Sequence, residues 1–208
     1  MRKIIPAFLI SLGGVLLVGV FGPIAWQQLR FTLSPQLIDP TAVSGHSVVL
    51  VDYTDSSTWF PQADRRPAAA SKVRYYTLAI PALDMVDIPV EIEGTDLKKN
   101  AIQYAGTAIP GNYGNTVIFG HSTLPQLYKT ADPISVFNPL PKTKVGTEVV
   151  IKYDGVTYRY LVYETIEVKP DQIEVLAQRY DKHQLTLITC VPLGTYLRRF
   201  VARAELVN

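Results

Sequence analysis

The chain has only one cysteine in 208 residues, and this scarcity excludes two kinds of architecture. A single thiol forms no intrachain disulfide, and it excludes zinc modules built from several cysteines, although metal sites with other ligands stay open. Neither sign of charge dominates, since 20 basic residues stand against 18 acidic ones. Three of the basic residues but none of the acidic ones fall within residues 1–30, so the rest of the chain is close to neutral. The sequence therefore gives no indication of nucleic-acid binding.

Long apolar runs are also missing, apart from one near the N-terminus. Residues 4–26 carry no charge, and at about 1.5 Å rise per residue a helix of this length spans roughly 35 Å, enough to cross a bilayer. Arg2 and Lys3 precede the run, which by the positive-inside rule favours a cytoplasmic N-terminus and an exported C-terminal part. We predict that residues 1–30 form a cytoplasmic tip and a single-pass signal anchor in the cell membrane. A signal peptide cleaved near Ala25 is the alternative.

Residues 31–72 are rich in Ser, Thr, Pro and Asp, a composition typical of linkers. We predict an extracytoplasmic stalk that holds a C-terminal domain, residues 73–208, away from the bilayer. Trp59 and Phe60 interrupt this polar stretch, where we expect them to be exposed. They suggest a second interpretation, in which part of residues 31–72, either Asp39-Pro40 or residues 55–60, forms a lid over the domain.

The C-terminal domain has the pattern of strands and turns. Runs rich in Val, Ile, Tyr and Thr are bounded by Pro, Gly, Asn or Asp, and they predict strands at residues 74–80, 116–120, 148–153, 157–168, 184–190 and 200–207. The one helix that we predict is short, at residues 96–103. Because no long amphipathic helix is available to cover a parallel sheet, we expect an all-β domain, either an antiparallel barrel or a sandwich.

The lone cysteine, Cys190, ends one of these strands just before Pro192 and Gly194. A free cysteine is commonly a small buried apolar residue. At a strand end that opens into a loop, however, a thiol is within reach of a substrate, and it becomes a nucleophile if its thiolate is favoured. The residues alone leave both interpretations open.

A catalytic thiol needs a cation and an acid/base group nearby. Arg198 and Arg199 open the following strand, and side-chain alternation lets only one of them share a face with the thiol, without deciding which. Among the three histidines, His121 alone follows a strongly apolar strand, whereas His46 lies in the stalk and His183 in a charged stretch. His121 is thus the best-placed acid/base candidate.

These residues lie in motifs that resemble those of sortases, the membrane-anchored cysteine transpeptidases of bacterial surfaces. Thr186-Leu187-Ile188-Thr189-Cys190 matches their Thr-Leu-x-Thr-Cys signature, and the segment 114–121 is similar to their Gly-Asn-x-x-x-x-Gly-His segment. The likeness extends to the segments 106–111 and 78–81 and keeps the family order. The resemblance implies an eight-stranded sortase-type β-barrel with short helices, preceded by the N-terminal transmembrane helix.

The resemblance also implies a chemistry. Cys190 would attack the Thr-Gly bond of a Leu-Pro-x-Thr-Gly-like sorting signal and form a thioacyl-enzyme. His121 would serve as general acid and base. Arg199, which falls on the position of the family's arginine, would bind the substrate carbonyl or oxyanion, with Arg198 as the fallback.

Further expectations concern the ligands of the site. The resemblance suggests Thr189, Ala108 and Ile188 as substrate-binding residues, and no cofactor or metal. The expected partners are surface proteins with a C-terminal sorting signal, an amine acceptor (a peptidoglycan precursor or a pilin Lys), and the lipid bilayer through the N-terminal helix. Asp84, Asp87, Glu91 and Glu93 lie near one loop, and we interpret them as a solvated acidic patch rather than a calcium site.

Two other kinds of function compete with this one. L,D-transpeptidases and papain-like peptidases are exported cysteine enzymes, but the Ser-His-Gly-Cys-type segments of the former are absent here, and Cys190 ends a strand instead of starting a helix. A membrane-tethered β-domain that acts as a binding module, with a buried non-catalytic Cys190, is the non-enzymatic alternative. The accessibility of the thiol distinguishes it from an enzyme.

Overall fold

A computed structural model describes residues 52–63, 73–130 and 132–207 of the chain. The predicted signal anchor and most of the predicted stalk lie outside the described residues. Within these ranges, no helix combines the length and the apolar character needed to cross a membrane.

Eight strands form a closed barrel in the order β1-β2-β3-β4-β7-β8-β6-β5. Their bounds are β1 Tyr75–Ile80, β2 Met85–Ile92, β3 Ala101–Gln103, β4 Gly114–Phe119, β5 Glu148–Tyr153, β6 Val156–Val168, β7 His183–Val191 and β8 Arg198–Leu206. The predicted eight-stranded barrel is thus confirmed. All six strands expected from the sequence are present, with ends shifted by a few residues.

The helices of the described residues are all short 3₁₀ turns. They are Ser56–Thr58, Pro81–Leu83, Pro125–Leu127, Pro133–Ser135, Leu140–Lys142 and Ile173–Leu176. The predicted helix at residues 96–103 is wrong, because Ala101–Gln103 is strand β3 and the residues before it form turns. Strand β3 is buried at all three residues, so the packing of the barrel overrides the helical propensity of this stretch.

Two strand pairs are parallel, which corrects the expectation of a purely antiparallel sheet. Strand β2 runs parallel to β3, and β4 runs parallel to β7, while the other pairs are antiparallel. The β4–β7 pair is possible because a long connection from residue 120 to 182, which includes the β5–β6 hairpin, brings the chain back to the same end of the sheet. Both strands therefore end at the same edge of the barrel.

Strand β2 was not predicted, since its sequence Met-Val-Asp-Ile-Pro-Val-Glu-Ile contains a proline and two acids. Pro89 pairs with Thr77 of β1, while β3 pairs only with the residues from Val90 onward. The missing N–H of Pro89 therefore costs the sheet no hydrogen bond on the β3 side. This arrangement accommodates proline in a strand that is internal to the barrel.

Alternation along the strands divides the apolar residues into two clusters. The larger cluster fills the barrel and includes Leu78, Ile118, Leu187 and Ala202. The second cluster lies on the outer face of β4, β7 and β8, and its members are Trp59, Phe60, Leu97, Ile102, Tyr104, Val117, Phe119, Val168, Val175, Leu176, Ile188, Cys190 and Val201. The outer face of these three strands is therefore covered by other parts of the chain, which include the segment around Trp59.

The inner cluster predicts where stability is most sensitive to mutation. Leu78 is fully buried in it, so Leu78→Ala is expected to lower the free energy of unfolding by about 2–5 kcal/mol. Leu161→Ala on β6 makes the same change at an exposed strand position and should cost less than about 1 kcal/mol. Denaturant unfolding of the full chain measures both values. Equal losses for the two variants would contradict the assignment of the core.

Candidate active site

The register of three adjacent strands brings the predicted catalytic residues together. Cys190 on β7 pairs directly with Arg199 on β8. On the other side of β7, the parallel ladder with β4 runs to the pair Phe119 and Ile188, and the Gly120 N–H donates to the Ile188 carbonyl at 3.1 Å. His121 lies two residues past the end of this ladder, and the hydroxyl of the adjacent Ser122 donates to the Cys190 carbonyl at 3.0 Å. Because in-register neighbours project from the same side of a sheet, the side chains of Cys190 and Arg199 share the outer face, and the segment that carries His121 lies at the same edge of the barrel.

Cys190 is only 1% exposed, and it packs with Ile188, Phe119 and Val201 in the outer cluster. Burial raises the pKa of the Cys190 thiol from 9.0 to about 11, and the nearby Arg199 guanidinium opposes this shift in part. The expectation of a reachable, ionised thiol is therefore not met in this conformation. The thiol is neutral and covered.

Arg199 is completely buried, although no carboxylate pairs with it among the described residues. Its guanidinium donates to three backbone carbonyls, those of Tyr196 at 2.9 Å, Trp59 at 3.1 Å and Arg198 at 3.3 Å. It also lies over the Trp59 ring, 5.2 Å from the centroid. Carbonyl and aromatic contacts thus replace the water that such a cation would otherwise require.

The structure resolves the choice between the two arginines that the sequence left open. Arg198 has the opposite orientation on β8, its side chain is 45% exposed, and it lies 3.7 Å from the Glu167 carboxylate. Arg199 faces the same side as Cys190 and is the arginine that changes the thiol pKa. Arg199 is therefore the site arginine.

The His121 imidazole is buried, and neither ring nitrogen makes a hydrogen bond to a residue that the structure describes. Burial lowers its pKa, while backbone groups of Ile134 and Ser122 oppose the shift more weakly. The ring is thus favoured in its neutral form. The raised pKa of the Cys190 thiol likewise favours the uncharged form of that group.

A segment ahead of the barrel, residues 52–63, covers these groups, and we call it the covering segment. It is anchored by hydrogen bonds from Ser56 N to the Thr95 carbonyl and from Leu97 N to the Thr54 carbonyl, both 2.9 Å. Tyr53 stacks on Tyr196 of the β7–β8 loop, with ring centroids 4.0 Å apart. The covering segment is therefore attached to both the barrel and the loop beside Cys190.

The expectation that Trp59 and Phe60 are exposed is wrong, because both are buried in the outer cluster. Their rings stack on Phe119, at centroid distances of 5.3 Å and 5.8 Å. Their place over the site could not be derived from local composition, since it depends on contacts with strands that lie far away in the sequence. The only sequence signal was a pair of large aromatic residues within a polar stretch.

The three predicted substrate-binding residues have different surroundings. Ile188 lies on the same face as Cys190, beneath the aromatic rings of the outer cluster. The Thr189 side chain, on the opposite side of β7, is completely buried, and its hydroxyl donates to the Gly120 carbonyl at 2.9 Å. This geometry gives the Thr189 hydroxyl a hydrogen bond within the protein.

Ala108 is not close to the other site residues. Its N–H donates to the Asn115 carbonyl at 3.2 Å, and Asn115 pairs with Gln184, six residues before Cys190 on β7. At about 3.3 Å per residue, Ala108 lies roughly 20 Å from the thiol along the strand.

The acidic residues near β2 form no metal cluster, since the described part of the chain contains no group of three or more potential ligands that could hold an ion. Glu91 is buried and not solvated as expected, and it accepts hydrogen bonds from Arg74 and Tyr75. Asp87 is exposed and lies 3.6 Å from Lys152. These contacts account for two of the four acids as structural ion pairs.

Comparison with known proteins gives a consistent result. A family model described as "Sortase domain" matches residues 78–207. Sortase A of Streptococcus agalactiae serotype III (strain NEM316) is 29% identical over 132 residues, which cover 62% of this chain and 51% of that protein. The match therefore spans about half the length of that relative. Sortase A of Bacillus anthracis is 24% identical over 99% of this chain and 94% of that protein.

Solved structures give the same family. The lid mutant of Sortase A from Corynebacterium diphtheriae is 30% identical, with a TM-score of 0.57 over 67% of this chain and 73% of that one. A Clostridium perfringens Sortase D5 transpeptidase is 25% identical, with a TM-score of 0.55 over 64% of this chain and 79% of that one.

The raised thiol pKa predicts how stability depends on pH. Between pH 9 and about 11 the unfolded chain has lost the Cys190 proton while the folded chain retains it, so stability should fall as the pH rises through this window. The loss from this residue should be about 1.4 kcal/mol per pH unit and absent below pH 9. Denaturant unfolding of the full chain and of Cys190→Ala isolates the effect, because other groups titrate equally in both. Parallel stability curves for the two proteins would contradict the raised pKa.

Proposed function

Since this chain belongs to the sortase family of cysteine transpeptidases, we propose that it cleaves a Leu-Pro-x-Thr-Gly-like sorting signal and joins the released carbonyl to an amine. The observation that carries the proposal is the register of β4, β7 and β8. It pairs Cys190 directly with Arg199 and ends β4, two residues before His121, at the same edge of the barrel, which supports a role for all three residues. A nucleophile, an acid/base group and a fixed cation in one row are the groups that acyl transfer from an amide requires.

The reaction proceeds in two acyl transfers. The Cys190 thiolate attacks the carbonyl carbon between Thr and Gly, the C–N bond breaks, and the protonated His121 gives its proton to the departing amine. The product is a thioester on Cys190. An incoming amine then attacks the thioester, His121 takes the proton of that amine, and the thiolate leaves. Each step returns the imidazole to the state that the next step needs.

Arg199 stabilises the charges of this cycle. Its guanidinium is held in place by the Tyr196 and Arg198 carbonyls, and a third donor is bonded to the Trp59 carbonyl. If the covering segment moves away, this third donor becomes free for a substrate carbonyl or for the oxyanion. The same cation favours the Cys190 thiolate over the thiol.

The covering segment acts as a lid in this proposal. The Trp59 carbonyl occupies the donor on Arg199 that a substrate would use, and the Trp59 and Phe60 rings belong to the cluster that buries the thiol. A substrate reaches Cys190 only after these residues move. A relative with a similar fold was solved as a lid mutant, which supports this interpretation.

The partners follow from the same chemistry. The substrates are surface proteins with a C-terminal sorting signal, and the acceptor is an amine of a peptidoglycan precursor or of a pilin Lys, for anchoring to the cell wall or for pilus assembly. The uncharged run at residues 4–26 supports a single-pass anchor that holds the catalytic domain outside the cytoplasm.

One observation favours the non-enzymatic alternative, a tethered binding module. Cys190 is almost completely buried, and its pKa of about 11 keeps the thiol neutral at physiological pH. A binding module would keep its function in the Cys190→Ala variant. The activity assay below distinguishes the two functions.

We expect the full chain to convert a Leu-Pro-x-Thr-Gly peptide and an added amine into a transpeptidation product, measured by mass spectrometry over a panel of pentapeptides. Cys190→Ala should give no product. Arg199→Lys should reduce kcat/KM by about 100-fold, because a single ammonium does not reproduce the donors of the fork.

Arg198→Lys is the matched control, since it makes the same change at the adjacent, exposed position. It should retain the rate of the unmodified chain. The absence of product from the whole panel would overturn the proposed function. Equal losses for the two arginine variants would overturn the role of Arg199.

If the covering segment acts as a lid, it limits the access of reagents to the Cys190 thiol. Trp59→Ala removes the ring that packs over Arg199, and Tyr53→Ala removes the stack on Tyr196 without emptying the buried cluster. Both should increase the alkylation rate of Cys190 in the folded full chain by at least about tenfold, since each kcal/mol lost from the closed state raises the open fraction about fivefold.

Tyr180→Ala is the control, because it removes an exposed aromatic ring that lies outside the covering segment. It should leave the alkylation rate unchanged. The lid would be refuted by variants at Trp59 and Tyr53 that react no faster than the unmodified chain.

A further inference from the structure

The chain that follows β4, residues 120–123, has no regular secondary structure, yet every residue of it is held by a hydrogen bond. Gly120 bonds to Ile188 through its N–H, and the His121 carbonyl accepts from the Phe137 N–H at 3.1 Å. Thr123 is bonded at both backbone groups by the Asn138 side chain, at 2.8 Å and 3.1 Å. Backbone and side-chain hydrogen bonds therefore hold this irregular segment against β7 and the following loop.

Two buried hydroxyl groups connect this segment to the strand of the nucleophile in opposite directions. Thr189, beside Cys190, donates to the Gly120 carbonyl at 2.9 Å, and Ser122, beside His121, donates to the Cys190 carbonyl at 3.0 Å. Ser122 is 2% exposed and Thr189 is fully buried. These two hydrogen bonds therefore join the residues on either side of His121, Gly120 and Ser122, to Thr189 and Cys190 of β7.

The imidazole itself has no such support. Both ring nitrogens are buried without a hydrogen bond, and no carboxylate of the described ranges bonds to the ring. In many acid/base catalysts a third polar group orients the ring. Here backbone groups of Ile134 and Ser122 lie near enough to affect the pKa of the ring, so its position depends on how this part of the backbone is held.

A close approach of the next loop adds to this constraint. The backbone of Gly120 lies against the Phe137 ring, so closely that a Cβ at residue 120 would collide with it. The same loop supplies Asn138 and the Phe137 N–H. The position of the His121 backbone is thus fixed from the Cys190 side by Ser122 and from the other side by residues 137 and 138.

We propose that Ser122 is a positioning residue of the reaction: its hydroxyl group, bonded to the Cys190 carbonyl, holds His121 where it delivers a proton to the leaving amine. This inference rests on the proposed function. Ser122 does not itself react, because its hydroxyl is buried and already engaged with the Cys190 backbone. Its effect on the rate passes through His121.

The test compares two substrates that differ in their need for the proton. A peptide with the Thr-Gly amide requires protonation of a poor leaving group, whereas the matching peptide thioester releases a thiolate without it. In the full chain, Ser122→Ala should lower the acylation rate of Cys190 with the amide by about tenfold and leave KM within about twofold. With the thioester, the acylation rate should change by less than about twofold.

Two further variants separate positioning from a loss of folding. Ser122→Thr keeps the hydroxyl and should restore most of the amide rate. Ser135→Ala makes the same chemical change in the loop that supplies Phe137 and Asn138. Ser135 is a buried serine, and its hydroxyl donates to the Lys129 carbonyl at 2.9 Å. This variant should lower stability without changing the ratio of the two rates.

Equal losses with both substrates in Ser122→Ala, or no loss with either, would overturn the positioning role. Both outcomes leave the proposed function intact, because the unmodified chain and Ser135→Ala still turn over the amide. Failure of the unmodified chain with every peptide would instead overturn the proposed function.

Discussion

Strand register is the constraint on which the site depends. Strand β7 lies between β4, to which it is parallel, and β8, to which it is antiparallel. A shift of one residue in either pairing would turn one partner of Cys190 to the opposite face of the sheet. The parallel β4–β7 pair matters most, because it makes both strands end at the same edge, where His121 follows β4 by two residues and Cys190 ends the Thr-Leu-x-Thr-Cys motif. The long connection between these strands is what allows that direction.

Burial disfavours the charged forms of Cys190 and His121. It raises the pKa of the Cys190 thiol and lowers the pKa of the His121 imidazole, so each group is favoured in its uncharged form. The Arg199 cation partly opposes the shift at the thiol, but both of its terminal nitrogens are bonded to backbone carbonyls, one of which belongs to Trp59. In the covered conformation, neither Cys190 nor His121 is favoured in the charged form that the proposed reaction uses. Exposure of the site would lower the cost of the thiolate–imidazolium pair and free a donor on Arg199 at the same time.

The sequence was sufficient for features set by local alternation and by motifs. Six of the eight barrel strands, the position of Cys190 near a strand end and the placement of His121 after β4 could be predicted, because apolar periodicity and turn residues encode them directly. Features that depend on contacts between residues far apart in the sequence could not be predicted. The stretch 96–103 has helical propensity, but its last three residues form strand β3. Pro89 is accommodated because the pairing of β2 with β3 begins only at the next residue, Val90. Trp59 and Phe60 are buried against strands that lie more than forty residues away in the sequence. Ser122 carried no signal apart from its position after His121.

The central claim is that Cys190, flanked by His121 and Arg199, forms a covalent acyl intermediate with a sorting-signal peptide. The most direct measurement is the intact mass of the full chain after incubation with such a peptide in the absence of any amine, followed by digestion to locate the modified fragment. The account predicts an increase equal to the peptide acyl group up to its Thr, on the fragment that contains Cys190 and sensitive to hydroxylamine. An unmodified chain after prolonged incubation with every peptide, or an adduct on another residue, would contradict it.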